Sequence, residues 1–198
     1  MAGDGPRPAT KTRRRARTGS SQRFDPKDNA RIQAARSVRA VFAVLDDMRE
    51  NGIPPNVVQV NMAVTRLGRM RDGSRPAVEL LRSASERYRV VPNVYTYSAA
   101  ISACEKGGQW KRALELFAEM ERAGVARDVV IYNAAISACE KGGQWERALE
   151  LFAEMERAGV ARNVITYSAA ISACEKGGQW EQALDLFAEM ERAGHLGQ

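Results

Sequence analysis

A block of fourteen residues, Tyr132-Asn-Ala-Ala-Ile-Ser-Ala-Cys-Glu-Lys-Gly-Gly-Gln-Trp145, recurs almost unchanged along the chain at one spacing. Cys104, Cys139 and Cys174 stand 35 apart, and so do Trp110, Trp145 and Trp180. Self-similarity at this period admits few architectures. Each copy is a unit too small to bury its own apolar face, so the copies must stack. The C-terminal half divides into frames 94–128, 129–163 and 164–198. The first two differ at five places only: Tyr95/Val130, Thr96/Ile131, Ser98/Asn133, Lys111/Glu146 and Asp128/Asn163.

Each frame carries two helical patterns. Tyr97, Ile101 and Cys104 follow i, i+4, i+7 spacing and share one face of a first helix. Gly107 and Gly108 end it, because glycine adopts the left-handed backbone of a helix end at little steric cost. In the second pattern Trp110, Ala113, Leu114, Phe117 and Met120 fall on one side. Lys111, Arg112, Glu115 and Glu119 fall on the other, and Gly124 with Val125 closes the helix. Isolated helices of ~12–15 residues are marginal in water. These pairs hold only by burying their stripes against neighbouring pairs. The predicted fold is an all-α stacked solenoid of helix-turn-helix repeats with no sheet.

The wording inside the frame is specific. Tyr97-Ser-Ala-Ala-Ile-Ser-Ala-Cys, Lys106-Gly-Gly-Gln-Trp, Ala113-Leu-Glu-Leu-Phe-Ala-Glu-Met and Gly124-Val together resemble the pentatricopeptide repeat, over residues 94–198. Tetratricopeptide repeats, with a period of about 34 residues, carry their Trp early in the first helix. Here the Trp opens the second helix, which argues against them. The resemblance implies an all-α, right-handed superhelical solenoid with first helices on the concave side.

The whole formal charge of the chain, +6, sits in residues 1–24, where Arg7, Lys11, Arg13, Arg14, Arg15, Arg17 and Arg23 face Asp4 alone. The remaining 174 residues hold 23 basic and 23 acidic side chains. The tail lacks apolar periodicity and is predicted to be disordered. Its Arg-rich, Ser-containing composition suits a transit peptide, and its basic cluster suits a nuclear signal or a nucleic-acid arm. The resemblance implies a chloroplast or mitochondrion, with nucleus or cytoplasm as the alternative. Residues 25–56 read as a degenerate partial repeat, with a short first helix around Ala30–Val38 and a second matched by Ala40–Ile53. Residues 57–93 read as a divergent repeat two residues too long, in which Met70–Ser74 replaces Gly-Gly-Gln-Trp. Gln198 is the last place of a frame with no polar capping helix after it, so the chain reads as part of a longer array. No run of about 18 apolar residues occurs, and no membrane span is predicted.

Catalytic chemistry finds little support. The cysteines lack Cys-x-x-Cys spacing and lie on successive layers of a stack, whereas zinc requires converging ligands. They read as small apolar core residues. His195 has no acid or nucleophile in register. The Gly-Gly pairs lack the flanking residues of a phosphate loop and read as turns. Trp110 reads as core, and Glu119 and Glu121 as an outward, solvated face. The expectation is a non-enzyme without cofactor, metal or small-molecule substrate.

The differences between near-copies point elsewhere. Tyr95, Ser98, Ser102 and Lys106 line one stripe of the first helix, beside its buried face. Tyr95/Val130 and Ser98/Asn133 fall on that stripe, and Asp128/Asn163 lies just before the next first helix. The resemblance implies that first helices line a groove for single-stranded RNA, one base per repeat. It implies that the fifth and last places of each frame read the base edge, between apolar second-place residues. Carried over, the readers are Ser98 with Asp128, Asn133 with Asn163, and Asn61 with Asn93. Tyr95, Val130 and Ile165 form the sandwich. Ser168 would pair with Gln198, a combination the family's pattern does not decode. Short Ser, Asn and Asp side chains supply donors and acceptors for a Watson–Crick edge. Lys106, Lys141 and Lys176 recur where phosphates would pass. The implied partners are single-stranded RNA and other RNA-processing proteins. Two or three bases do not single out a transcript, so a working protein is expected to be longer or to act with a partner. The rival class is a scaffold holding a peptide in the same groove. The neutral repeat region gives it some support, because RNA-binding domains are usually basic, but the acids concentrate on second helices and leave the recurrent Lys on the first.

Overall fold

A computed structural model describes residues 26–194, which form ten α-helices and no strand. The basic tail, His195 and Gln198 lie outside the described residues. The helices come in pairs: α1 (Pro26–Ala34) with α2 (Val38–Glu50), α3 (Val57–Gly68) with α4 (Ser74–Tyr88), and α5 (Val94–Lys106) with α6 (Trp110–Arg122). Then follow α7 (Val129–Lys141) with α8 (Trp145–Arg157), and α9 (Val164–Lys176) with α10 (Trp180–Arg192). No helix among the described residues is long and apolar enough to cross a membrane.

The ends of the helices follow from local chemistry. Asn56, Asn93, Asp128 and Asn163 each cap a first helix, their side chains accepting backbone N–H groups of the first turn. Such caps satisfy donors that have no partner inside the helix. Second helices end in a six-to-one turn: the Val125 N–H donates to Met120 C=O, and Gly124, at φ +67°, makes the required left-handed step.

Burial confirms the first-helix stripe: Tyr97, Ile101 and Cys104 are buried, with Ala100 beside them. The second helix is turned relative to the sequence expectation. Ala113, Leu116, Phe117 and Met120 are buried, whereas Leu114 and Trp110 are half-buried. Trp110 is not an interior residue of its own pair. It lies across Gly142, in the turn of the next pair, and Trp145 lies across Gly177 in the same way.

First helices pack on one another in sequence, α3 on α5, α5 on α7 and α7 on α9. Second helices lean on the following first helix, α6 on α7 and α8 on α9, and none packs comparably on another second helix. A stack with one close layer and one splayed layer curves toward the close one, so first helices form the inner layer of this all-α solenoid. On α10, which no further described helix covers, Trp180, Leu184 and Phe187 are exposed.

Polar staples cross the layers. Tyr97, Tyr132 and Tyr167 donate their phenol O–H to Glu119, Glu154 and Glu189 respectively. Burial first, and the acidic partner second, push these phenols up in pKa. Arg127 reaches Glu121 at 2.6 Å and Glu154 of the next pair at 2.8 Å, with its guanidinium 4.2 Å from the Phe117 ring centre. Arg162 repeats the arrangement. Glu119 and its copies are therefore partners of buried tyrosines, not a purely solvated face.

The early repeats differ in their turns. The first helix of 25–56 is Pro26–Ala34 and not Ala30–Val38, because Ser37 caps α2 and forces the break before it. In 57–93 the turn holds Arg69–Gly73 and α4 runs to 15 residues, against 13 in α6. Arg89, at φ +58°, takes the left-handed place that Gly124 holds later.

Candidate nucleic-acid interface

The second residue of α3, α5, α7 and α9 is an exposed apolar side chain, and on α9 the first residue, Val164, is 46% exposed as well. Tyr95 is 71% exposed, Val130 55% and Ile165 60%, and Val58 occupies the corresponding place on α3 at 52%. Exposed aliphatic and aromatic groups at a fixed structural interval, on otherwise well-packed helices, cost solvation with no packing return. Val58 was legible by counting three residues back from Asn61.

Next to these groups lie the fifth-place and last-place side chains. Asn61 Nδ2 donates to Asn93 Oδ1 at 3.4 Å, and Asn133 Nδ2 donates to Asn163 Oδ1 at 3.3 Å. Each pair thus meets across 32 and 30 residues of sequence. No hydrogen bond joins Ser98 to Asp128; Asp128 Oδ1 accepts the Ile131 N–H at 3.0 Å. A groove of about 830 Å³ runs between α3 and α5, lined by Val58, Asn61, Tyr95, Ser98, Ser102 and Lys106 among others. A larger opening, about 1280 Å³, lies between the splayed α6 and α8 and is lined by Trp110, Leu114, Arg147 and Glu150. It holds none of the varying first-helix residues.

Third-place residues join the site from the following repeat. Thr96 Oγ1 donates to Asn61 Oδ1 at 2.6 Å, and Thr166 Oγ1 donates to Asn133 Oδ1 at 2.6 Å. Ile131 holds the same place in its frame, and its backbone N–H donates to Asp128. From the sequence alone Thr96/Ile131 was only a neighbour of the stripe.

Three family profiles match the chain: the PPR repeat family over 127–176, the pentatricopeptide repeat domain over 81–142 and the PPR repeat over 165–195. The chain belongs to the pentatricopeptide repeat family. Among solved structures, it is similar to the pentatricopeptide repeat protein PPR10 from maize, at 27% identity and a TM-score of 0.66, over 86% of this chain and 24% of that one. The structure of PPR10 in complex with an 18-nt psaJ RNA element matches at 26% identity and 0.60, over 86% of this chain and 28% of that one. The PPR domain of Arabidopsis thaliana protein-only RNase P 1, in complex with tRNA, matches at 15% identity and 0.68, over 81% of this chain and 84% of that one. This chain thus spans about a quarter of PPR10. No curated protein matches it.

In this pentatricopeptide array the recurrent lysines are partly engaged. Lys141 Nζ lies 2.6 Å from Glu105, and Lys176 Nζ lies 2.6 Å from Glu140. Ser137 and Ser172 donate to the same two carboxylates. Lys106 is exposed and has no ion pair among the described residues. Ser168 is exposed and donates to Val164 C=O at 2.7 Å, and its partner place, Gln198, lies outside the described residues.

The cysteines are buried and free. Among the described residues no group of three or more His, Cys, Asp or Glu could hold a metal. Burial pushes the Cys104 and Cys139 thiols up to about 11 and raises Cys174 as well. Because the thiolate is the nucleophile, all three are expected to resist Ellman's reagent at pH 8 in the native protein and to react once it is denatured. Rapid stoichiometric reaction of the folded chain would contradict this burial.

Proposed function

We propose that this array binds single-stranded RNA along its layer of first helices, one base per repeat. Bases would insert between the second-place residues Val58, Tyr95, Val130 and Ile165. Their edges would be read by Asn61 with Asn93, Ser98 with Asp128, and Asn133 with Asn163. The observation that carries this reading is an exposed apolar group on four successive first helices, with bonded Asn–Asn pairs beside it in two of the repeats. Stacking on such groups is worth roughly 1–3 kcal/mol per base. The RNA-bound state of PPR10 supports it by likeness. Work on organellar transcripts, in RNA processing, stability, editing or translation, belongs to the same proposal.

Last-place residues bear on the choice. A helix cap favours a short polar residue here, and Asn and Asp cap about equally well. Capping therefore does not account for the difference between Asp128 and Asn163. An acceptor-rich carboxylate and a donor-bearing amide do differ towards a base. The direct test compares binding of the chain to short single-stranded RNAs and to a peptide library. Submicromolar peptide binding with no retention of RNA would replace this reading with the scaffold.

Phosphate contact should be modest while Lys141 and Lys176 remain paired. Glu105→Gln with Glu140→Gln releases both lysines. Affinity for single-stranded RNA is then expected to rise severalfold. The slope of log K against log salt should steepen by about 1.4, or about 0.7 for each of two phosphates. Titrations at several salt concentrations check this; an unchanged slope would place the phosphates away from these lysines.

A further inference from the structure

We propose that the third residue of each repeat is a positioning residue for the base reader of the repeat before it, with a threonine hydroxyl setting an Asn–Asn reader to donate. This role rests on the RNA-binding function proposed above.

Thr96 and Thr166 are fully buried. Each hydroxyl oxygen accepts a capping backbone N–H, from Asn93 at 3.0 Å and from Asn163 at 3.1 Å. Its proton is then free for a side-chain acceptor. The nearest is the amide oxygen of Asn61 or Asn133, at 2.6 Å. That length suits O–H···O and is short for N–H···O. It holds the amide with Oδ1 on the threonine and Nδ2 toward the last-place Asn. The reversed amide would set Oδ1 against the Oδ1 of Asn93 or Asn163, two acceptors with no proton between them. The last-place Oδ1 is spent in turn, because it accepts the helix-cap N–H of Thr96 or Thr166. Each amide oxygen of the reader already accepts at least one bond, and every hydrogen it still has to offer is an N–H. Such an edge suits the N3 and O2 acceptors of cytosine and opposes the N1–H and N2–H donors of guanine.

At the middle reader the chemistry reverses. Ile131 is fully buried and has no hydroxyl to offer. Asp128 gives one oxygen to the Ile131 N–H, which leaves its second oxygen and the Ser98 hydroxyl able to accept from guanine. Residue type follows the reader without exception: Asn61/Asn93 with Thr96, Ser98/Asp128 with Ile131, Asn133/Asn163 with Thr166. Burial alone would favour an aliphatic residue at all three places, since a buried hydroxyl costs unless it is bonded. The hydroxyl accepts the capping N–H of its own helix and donates its shortest bond to the reading amide.

The test uses the full chain with Thr166→Val, which keeps the shape and removes the hydroxyl, and Thr166→Ser, which keeps the hydroxyl. Competition among four short RNAs, differing only at the base facing repeat 129–163, reads the preference at fixed salt. Thr166→Val is expected to lose about five- to tenfold of discrimination, with affinity for the mixed pool within about twofold. Thr166→Ser should retain the wild-type ranking. In the free protein, the Asn133 side-chain amide protons should exchange faster in Thr166→Val alone. If Thr166→Val ranks the bases as wild type does, while Asn133→Ser with Asn163→Asp changes the ranking, the positioning role is overturned and RNA reading stands. If none of these proteins binds RNA, the function fails and this role falls with it.

Discussion

Asn133→Ser combined with Asn163→Asp and Thr166→Ile is expected to move the preference of repeat 129–163 from a pyrimidine, cytosine above uracil, to guanine. The three changes reproduce the neighbouring reader, Ser98 with Asp128 and Ile131. The shift should be about 1–3 kcal/mol, the usual scale of one wrong base contact. In the pattern that the resemblance implies, Ser with Asp favours guanine and Asn with Asn a pyrimidine, so wild type is expected to read G then C or U across frames 94–128 and 129–163, with the protein's N-terminus toward the RNA 5′ end. The variant should read G then G. The fold should tolerate the exchange within about 1 kcal/mol, because Asp caps as well as Asn and the third place already holds a buried Ile131. Without Thr166→Ile the shift should be partial. The Thr166 hydroxyl, deprived of Asn133, would turn to the new carboxylate at 163, whose Asn predecessor it already meets at 3.0 Å, and would occupy an acceptor. Binding to short RNAs differing at one base, at fixed salt, decides it. Four bases ranked alike by both proteins would remove these residues from any role in reading.

A second large effect is expected in the turn between α7 and α8. Gly142 has φ −86°, a backbone any residue adopts. Yet a Cβ built there would stand 2.5 Å from Trp110 Cγ and 2.9 Å from Trp110 Cβ. Those atoms lie at the root of the Trp side chain and cannot swing aside. Gly142→Ala should therefore cost about 1–3 kcal/mol by overpacking, read as a fall in the urea midpoint. At Gly107 a Cβ would meet the Ser74 hydroxyl at 2.9 Å, a smaller group, and Gly107→Ala should cost less. Adding Trp110→Ala to Gly142→Ala should make the glycine change markedly less costly, with only the retained Cβ of residue 110, at 2.9 Å, left to crowd it. Equal costs in both backgrounds would mean that the Trp does not bear on that glycine.

Local patterns carried the architecture: a strict period, apolar spacing on the first helix, and glycine stops. What they left open needed contacts between repeats. Leu114 and Leu116 flank the same helical face, and only the neighbouring pair decides that Leu116 goes inside. Trp110 and Gly142 are both conspicuous in the sequence, but their meeting is a property of the stack. The lysines looked free because the pairing acids, Glu105 and Glu140, come from the preceding repeat. Asn93 before Val94, with Thr96 three places on, carries a capping signature. The resemblance assigns Asn93 to base reading alone, and the structure gives it a cap's bonds as well. The Thr96/Ile131 difference stood among the five from the start. Its meaning needed the bond back to Asn61.

The trio Asn133, Asn163 and Thr166 crosses the seam between two frames, so the unit that would be inherited with a base preference is out of phase with the unit that folds. An array lengthened by copying whole 35-residue frames would hand each new reader a third-place residue chosen for some other neighbour. Exchanges with ends between the third and fifth places of a frame would carry a trio intact. For anyone recombining such repeats, the useful cut lies inside the first turn of a helix, one residue either side of the conserved-looking Tyr97, Tyr132 or Tyr167, and not in the loop where the repeat visibly ends.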